Sequence, residues 1–265
     1  MNAMIFAAGL GTRLKPLTDI MPKAMVPING KPLIQILIER LKAIGVTEIV
    51  VNVHHFAQQI IDFINANNSF GINIIFSDET QQLLETGGGL KKAAQFFSNN
   101  HPILVHNVDI LSNADLLSLY QNTISTTLLV SDRQTQRYLL FDETNRLVGW
   151  INTATGEVKS PIPEIKAHEG DTAYFTQSSS LKKYAFSGIQ VFHQTLLPLM
   201  ADWHGKFSII DFYLSICHKT DILCHFDSQL QLLDVGKLDT VKKAESFLKN
   251  IQLPPNKSIN LFPNL

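Results

Sequence analysis

The chain holds two cysteines and two tryptophans in 265 residues, and almost no charge imbalance. Two cysteines exclude a disulfide framework. Lys and Arg number 22 against 23 Asp and Glu, a net charge of −1. That balance argues against a nucleic-acid partner, which demands a basic excess. No apolar run reaches the ~18 residues that a membrane span requires. Glycine and arginine interrupt the first apolar stretch too early for a secretory leader. The expected setting is therefore cytoplasmic, with no membrane. What is present is an ordinary globular composition, 45% hydrophobic and 17% charged, long enough for one large domain.

Each cysteine is followed by a histidine, giving "CHKTDILCH" over Cys217–His225. The spacing matches no zinc pattern and reads instead as a helix ending near His218 and a strand over 221–226.

Along the chain, "NAMIFAAG" reads as a buried strand closed by a glycine turn. "KPLIQILIERLKAIG" places Leu33, Ile34, Leu37, Ile38, Leu41 and Ile44 on one helical face, with Pro32 in the first turn and Gly45 at the C-cap. "TEIVVNV", "INIIF" and "PILVHNVD" read as further strands. "HFAQQIIDFINAN", "GGGLKKAAQFF" and "NADLLSLYQN" read as helices, the last capped by Asn113. Strands alternating with helices predict parallel pairing through right-handed crossovers. The fold class is thus α/β, a doubly wound and mostly parallel sheet, whose ligands bind at the carboxyl ends of the strands. "TTLLVSD", "RYLLFD" and "LVGWIN" predict a small antiparallel addition. Residues 152–182, rich in Pro, Gly and Ser, predict a mobile loop or lid with short elements at most. "YAFSGIQVF", "DILCHF" and "QLLDVG" predict late strands. "HQTLLPLM", "FSIIDFYLSIC" and "LDTVKKAESFLKN" predict helices. Residues 1–250 form one expected domain, with halves 1–131 and 132–250, and 251–265 an irregular tail.

The segment "GLGTRLKPLTDIMPKAMVP" after the first strand is unusual. Leu14 stands where a dinucleotide fingerprint has its third glycine, and "NGKP" lacks the rest of a P-loop. What remains is a glycine loop with Arg13, Lys15 and Lys23. Glycine lets backbone N–H groups approach an anion, arginine offers phosphate a planar fork, and lysine a point charge. Pro16, Pro22 and Pro27 stiffen the segment.

"GLGTRLKPLT" followed by "PKAMVP" resembles the signature of the sugar-1-phosphate nucleotidyltransferases, the nucleotide-sugar pyrophosphorylases. The resemblance extends from Met4 to about Leu248 and implies a Rossmann-like fold of the nucleotide-diphospho-sugar transferase type. It implies that Arg13 and Lys23 are catalytic and contact phosphates, and that Ala8, Gly9 and Gly11 bind the nucleotide. "LLETGGG" then implies Thr86, Gly87 and Gly88 at base and ribose, at the N-terminus of a helix whose free N–H groups face outward. This version is similar to the family branch acting on N-acetylmuramic acid 1-phosphate with UTP, and to some mannose-1-phosphate guanylyltransferase-like members.

"VHNVD" implies Asp109 as a metal ligand, although Val108 replaces the usual glycine. "LLDVG" implies Asp234 as the second carboxylate, and Mg2+ as the cofactor. Asp132, Asp211 and Asp221 are weaker rivals. "FSGIQVF" implies Ser187 and Gly188 at the sugar. "PEIK", with Glu164 and Lys166, echoes a Glu-Lys pair used elsewhere in the family. His54 and His55, at a strand-helix junction, read as capping or packing.

The activity implied is transfer of a nucleotidyl group from a nucleoside triphosphate to a sugar-1-phosphate, with release of pyrophosphate. UTP and N-acetylmuramic acid 1-phosphate are the first choice. Mannose- or glucose-1-phosphate with GTP or dTTP is the alternative. A non-catalytic nucleotide-sugar sensor is the rival of another class. Homo-oligomerisation is left open.

Overall fold

The computed structural model describes residues 1–178 and 180–251; nearly all of the expected irregular tail lies outside the described residues. In the first half, strands β1 (Asn2–Phe6), β2 (Pro27–Ile28), β3 (Lys31–Pro32), β4 (Glu48–Val53), β5 (Asn73–Asp78) and β6 (Ile103–Asn107) are interleaved with α1 (Leu33–Ala43), α2 (Ala57–Ala66) and α3 (Glu85–Ala94). The second half runs through β7 (Ile110–Ser112), α4 (Leu116–Gln121), β8 (Thr126–Ser131), β9 (Arg137–Phe141), β10 (Leu147–Asn152) and β11 (Val158–Lys159). Short helices α5 (Pro163–Lys166) and α6 (Tyr174–Gln177) precede β12 (Lys182–Phe192), α7 (Ile209–Ile216), β13 (Ile222–Phe226), β14 (Leu232–Asp234) and α8 (Leu238–Asn250).

β1 pairs in parallel with β4 and β6, and β4 with β5. β12 extends this unit antiparallel to β6 and carries β8 and β9. Successive strand residues face opposite sides of a sheet. Ala3 and Ile5 accordingly enter one apolar core with Ile49, Val51 and Leu104, while Met4 enters another with Val50, Ile103 and Val105. Apolar residues on both faces explain why these strands read as continuous hydrophobic runs. α1 buries the predicted stripe of Leu33, Ile34, Leu37, Ile38 and Leu41. Pro32 is its N-cap rather than a first-turn residue. Among the described residues no helix is long and apolar enough to cross a membrane.

Several expectations are corrected. Residues 152–182 hold only short elements, as expected, but they are packed: Val158, Ile165 and Phe175 form a small core with Tyr138, Leu140, Val148 and Ile151. Gln194–Met200 is a 3-10 helix rather than an α-helix and contains Pro198, which lacks an N–H donor. α4 is capped by Asp115, whose carboxylate accepts from the Ser118 N–H at 3.0 Å. Asn113 instead pairs with the segment before β14: its N–H donates to the Gln231 carbonyl, and its side chain accepts from the Gln231 N–H. α3 begins at Glu85, so its glycines lie inside the helix. Their N–H groups do not face outward, because Gly87 and Gly88 both donate to the Phe207 carbonyl. A Cβ on Gly87 would lie 2.3 Å from the Phe207 ring, and one on Gly88 2.2 Å from the Gly205 carbonyl oxygen. The glycines therefore admit a crossing backbone segment.

Two buried cations-to-be sit beneath the sheet's active end. Arg40 of α1 donates to the Ala114 carbonyl at 2.6 Å and the Ser112 hydroxyl at 3.2 Å, tying the helix to the end of β7. Burial lowers its pKa to about 10 against the opposing pull of Asp115. His106 of β6 is fully buried, its Nδ1 beside the Asn107 carbonyl and its Nε2 without a partner. Burial, reinforced by the Arg40 charge, lowers the His106 pKa to about 3.

Two tests follow from this packing. Because His106 stays neutral in the fold, only the unfolded chain binds its proton between pH 6.5 and about 3. Its contribution is therefore full above pH 6.5 and is lost as pH falls, at up to about 1.4 kcal/mol per pH unit. Urea unfolding from pH 7.5 to 5 should show a shallower loss for His106→Leu than for the parent, and equal slopes would refute the assignment. Gly88→Ala should cost about 1–3 kcal/mol in the same assay, since the clash is with backbone that has no rotamer to yield; an unchanged midpoint would remove the close-approach explanation.

Candidate active site

The carboxyl end of the parallel unit opens into a cleft of about 520 Å³. Its floor is the loop that leaves β1. Asn52, near the end of β4, holds that loop: its Oδ1 accepts from the Ala7 N–H at 2.7 Å and the Ala8 N–H at 3.3 Å. Its Nδ2 donates to Glu79 at 2.8 Å, and the other Glu79 oxygen accepts from the Leu84 N–H at 2.9 Å. Both residues are almost wholly buried. Gly11 turns the loop at φ +62, and a Cβ there would lie 2.8 Å from Thr18; the Thr18 hydroxyl in turn donates to the Gly11 carbonyl.

Two carboxylates meet at the edge of this cleft. β7 pairs antiparallel with β14, placing Asp234 opposite Ile110. The Val235 N–H donates to the Asp109 carbonyl at 2.8 Å and extends the ribbon to the aspartate itself. Lys23, from a 3-10 turn over Lys23–Met25, forms an ion pair with Asp109 and lies 3.9 Å from Asp234. The Lys23 and Asp109 side chains are mostly buried, whereas that of Asp234 is half exposed. Burial, and then the Asp109 charge, hold the Asp234 carboxyl above its ordinary range; Lys23, Arg13 and Arg133 pull the other way.

A second cleft of about 700 Å³ adjoins the first. Arg13 and Gly236 line both; Asp109 lines the first and Asp234 the second. The carboxylate pair thus stands at the junction.

Of the residues expected at the site, Ala8, Gly9, Gly11, Arg13, Lys23, Thr86 and Asp109 line the first cleft, and Asp234 the second. Thr86 is fixed there by the Ile209 N–H, which donates to its hydroxyl at 3.0 Å. Gly87 and Gly88 line neither cleft, being covered by Phe207. Ser187 and Gly188 also line neither. Ser187 is buried, and its hydroxyl accepts from the Ile189 N–H. Gly188, at φ +79, packs against Asn107, where a Cβ would lie 2.7 Å from the amide nitrogen. Lys166 pairs with Glu169, Asp211 with Lys159, and Asp221 with Arg146, so none of these joins the junction. His54 accepts a packing role, its Nδ1 2.7 Å from the Glu79 carbonyl. Cys217 and Cys224 are free thiols whose pKa burial raises to about 11.

The residues that sequence reasoning missed are Asn52, Glu79, Glu85 and Asn107. For Asn52, Glu79 and Asn107 the signal was polarity at the carboxyl ends of strands; Glu85 opens α3 and gave no such signal. Glu85 lines the first cleft at φ +58, a costly backbone for a non-glycine, and is held by Lys206 at 3.1 Å.

The donor set fits a hard divalent cation. Two carboxylates converge, an ammonium already occupies the space between them, and one carboxylate remains open to solvent. Among the described residues no group of three or more His, Cys, Asp or Glu could hold a metal ion, so phosphates and water would have to complete the shell of any ion held by this pair.

The comparisons with known proteins agree with this geometry. The sequence profile described as nucleotidyl transferase matches residues 2–136. The N-acetylmuramate alpha-1-phosphate uridylyltransferase of Neisseria meningitidis is 42% identical over 125 residues, 47% of this chain and 54% of that protein. The enzyme of the same name from Caulobacter vibrioides is 46% identical over 109 residues, 40% of this chain and 45% of that one. The chain thus spans about half the length of the curated relatives it matches. A solved UDP-glucose pyrophosphorylase, in complex with UDP-glucose, superposes with a TM-score of 0.70 over 94% of this chain and 99% of that one, at 17% identity. That likeness establishes the fold: a mostly parallel, nucleotide-diphospho-sugar transferase type of sheet. With half of its length matched and its glycine loop, Lys23 and Asp109 within that match, the chain belongs to the nucleotidyl transferase family.

Proposed function

We propose that the protein transfers a nucleotidyl group from a nucleoside triphosphate to a sugar-1-phosphate and releases pyrophosphate. The convergence of Asp109, Asp234 and Lys23 where the two clefts meet carries this reading. In the proposed reaction a phosphate oxygen of the sugar-1-phosphate attacks the α-phosphorus, and the bond from that phosphorus to pyrophosphate breaks. Residues 1–250 act as one unit, with the triphosphate in the first cleft and the sugar phosphate in the second.

Both reactants are anions, so their repulsion is the main obstacle, and positioning with fixed charges dominates over acid–base chemistry. Asp109 and Asp234 would hold a magnesium ion, which when bound neutralises phosphate oxygens. Lys23 is poised to exchange its carboxylate partners for a phosphate oxygen. Arg13, facing both clefts, donates to the departing pyrophosphate. Backbone N–H groups near Gly9 and Gly11 approach the phosphates, while Thr86 borders the base and ribose. Ser187 and Gly188 act on the sugar side only through the strand they shape, since neither reaches a cleft. UTP and N-acetylmuramic acid 1-phosphate are the proposed substrates, supported by the two uridylyltransferases that are 42% and 46% identical to this chain over 125 and 109 residues.

A panel of the four triphosphates against several sugar-1-phosphates, read by pyrophosphate release, tests the reading. The highest turnover is expected with UTP and N-acetylmuramic acid 1-phosphate, and no release with any pair would refute it. Asp109→Ala should abolish metal-dependent turnover while circular dichroism stays unchanged. Arg13→Ala should slow turnover by ~100- to 1000-fold, the loss typical of one preorganised donor to transition-state charge; a loss below about tenfold would remove Arg13 from that role.

A further inference from the structure

Glu85 is an acid on the wall of the cleft assigned to a polyanion, and its backbone is strained to put it there. Among the described residues seven non-glycine residues have positive φ, and Glu85 is the one of them that lines either cleft. Three of the others are asparagines, which adopt this region readily; a glutamate does not. Such a backbone persists only where its surroundings over-determine it, and both flanks of Glu85 are clamped. The Leu84 N–H donates to Glu79 at 2.9 Å, and the Leu84 carbonyl accepts from the Phe207 N–H at 3.2 Å. On the other side the Thr86 hydroxyl accepts from the Ile209 N–H at 3.0 Å, and the Gly87 N–H donates to the Phe207 carbonyl at 2.9 Å.

The wall around Glu85 is otherwise neutral, made of Leu83, Thr86 and Ser208. Asp109 is the one other acid in the lining, and it stands at the junction. Lys206 lies 3.1 Å from Oε1 of Glu85, in a pair open to solvent. Exposed pairs of this kind add little to stability, so the pair does not account for the strained backbone. Among the described residues the Glu85 carboxylate makes no other hydrogen bond or ion pair, and its second oxygen is free to accept.

A carboxylate accepts hydrogen bonds and repels phosphate. The phosphates therefore lie with Arg13, Lys23 and the glycine loop, and the uncharged nucleoside faces Glu85. A ribose offers two vicinal hydroxyls, and an acidic side chain accepts from the ribose 2′-hydroxyl in the same way in dinucleotide sites. Uracil offers a single N–H between two carbonyl oxygens that would repel a carboxylate. Guanine, with adjacent N1–H and N2–H donors, is the base that would compete with ribose for this group, and the test separates the two.

We infer that Glu85 is a specificity-determining residue, whose carboxylate accepts from the ribose hydroxyls of the triphosphate and selects ribonucleotides over deoxyribonucleotides. The inference rests on the transferase reading and adds to it a residue and a discrimination.

The test measures UTP against dUTP, and GTP against UTP, with the full chain and with Glu85→Gly, which suits the positive φ. Glu85→Gln, which keeps the side-chain length, gives the same comparison should the glycine variant fail to fold. The parent should favour UTP over dUTP in kcat/KM by ~10-fold or more, the scale of a hydrogen bond to a charged group. In the variants that ratio should fall toward one. A merely structural role would slow both triphosphates alike and leave the ratio where it was, which overturns the inference. So does a parent ratio near one, or a variant that shifts only the preference between GTP and UTP. Calorimetric titration of UTP and dUTP with magnesium, without any sugar phosphate, reads the same ratio independently of turnover. If no acceptor releases pyrophosphate, the transferase reading falls, while tighter binding of UTP than of dUTP that is lost in the variants still upholds the role of Glu85. Equal affinities, or no binding of either triphosphate, overturn it.

Discussion

Everything at this site depends on two carboxylates that must be held close despite their mutual repulsion. Asp109 and Asp234 are 125 positions apart in the chain, and no local preference brings them together. The three-residue ribbon of β7 and β14 does so through backbone hydrogen bonds, which fix direction and register at once. The ribbon is locked from three sides. Asn113 and Gln231 exchange bonds at one end, the Asp109 carbonyl takes the Val235 N–H at the other, and Arg40 grips Ser112 and Ala114 from below. Lys23 then supplies the opposite charge without which two neighbouring carboxylates would resist joint ionisation. Burial first, and the Asp109 charge second, hold the carboxyl of Asp234, the more exposed member, above its ordinary range.

The glycine loop is rigid for a related reason. A loop that must present N–H groups to an anion cannot satisfy them internally, so something else must hold it. Asn52 does this by accepting from Ala7 and Ala8, and Glu79 completes the chain by binding Asn52 on one oxygen and the Leu84 N–H on the other. One buried carboxylate thus couples the floor of the first cleft to the segment that carries Glu85 and Thr86 along its wall. Buried polar groups that are fully bonded in this way specify one arrangement of the backbone.

The alternating strands and helices of the first half were legible because each strand is apolar on both faces and each helix keeps a clean stripe. The segment that floors the first cleft was legible because glycine, arginine and proline occur there in a combination that a solvated loop does not need. β7 was not legible: two apolar residues and a serine next to an aspartate look like the tail of β6, and only the distant partner β14 makes them a strand. The glycines of α3 misled for a similar reason. A run of three glycines at a helix start signals a close approach, and a close approach there is. The approaching group is the backbone of Gly205–Phe207 and not an external ligand, a distinction that belongs to tertiary packing. Ser187 misled because alternation on a strand leaves its facing undetermined until the bulge at Gly188 resets the register.

The distribution of cations distinguishes the two clefts. The first relies on backbone N–H groups, one lysine shared with carboxylates and a single arginine, an assembly suited to a flexible polyphosphate that wraps around its donors. The second is lined by Arg13, by Arg133 from the turn after β8, by Arg137 at the start of β9 and by Lys237. Arg13 lines both clefts. A nearly neutral chain can sustain so cationic a site only by placing its remaining acids elsewhere, and the lysines outside the clefts show where: Lys159, Lys166 and Lys206 are each paired with a carboxylate within 3.1 Å. Among the described residues the three arginines that line the second cleft, Arg13, Arg133 and Arg137, have no carboxylate within ion-pair distance.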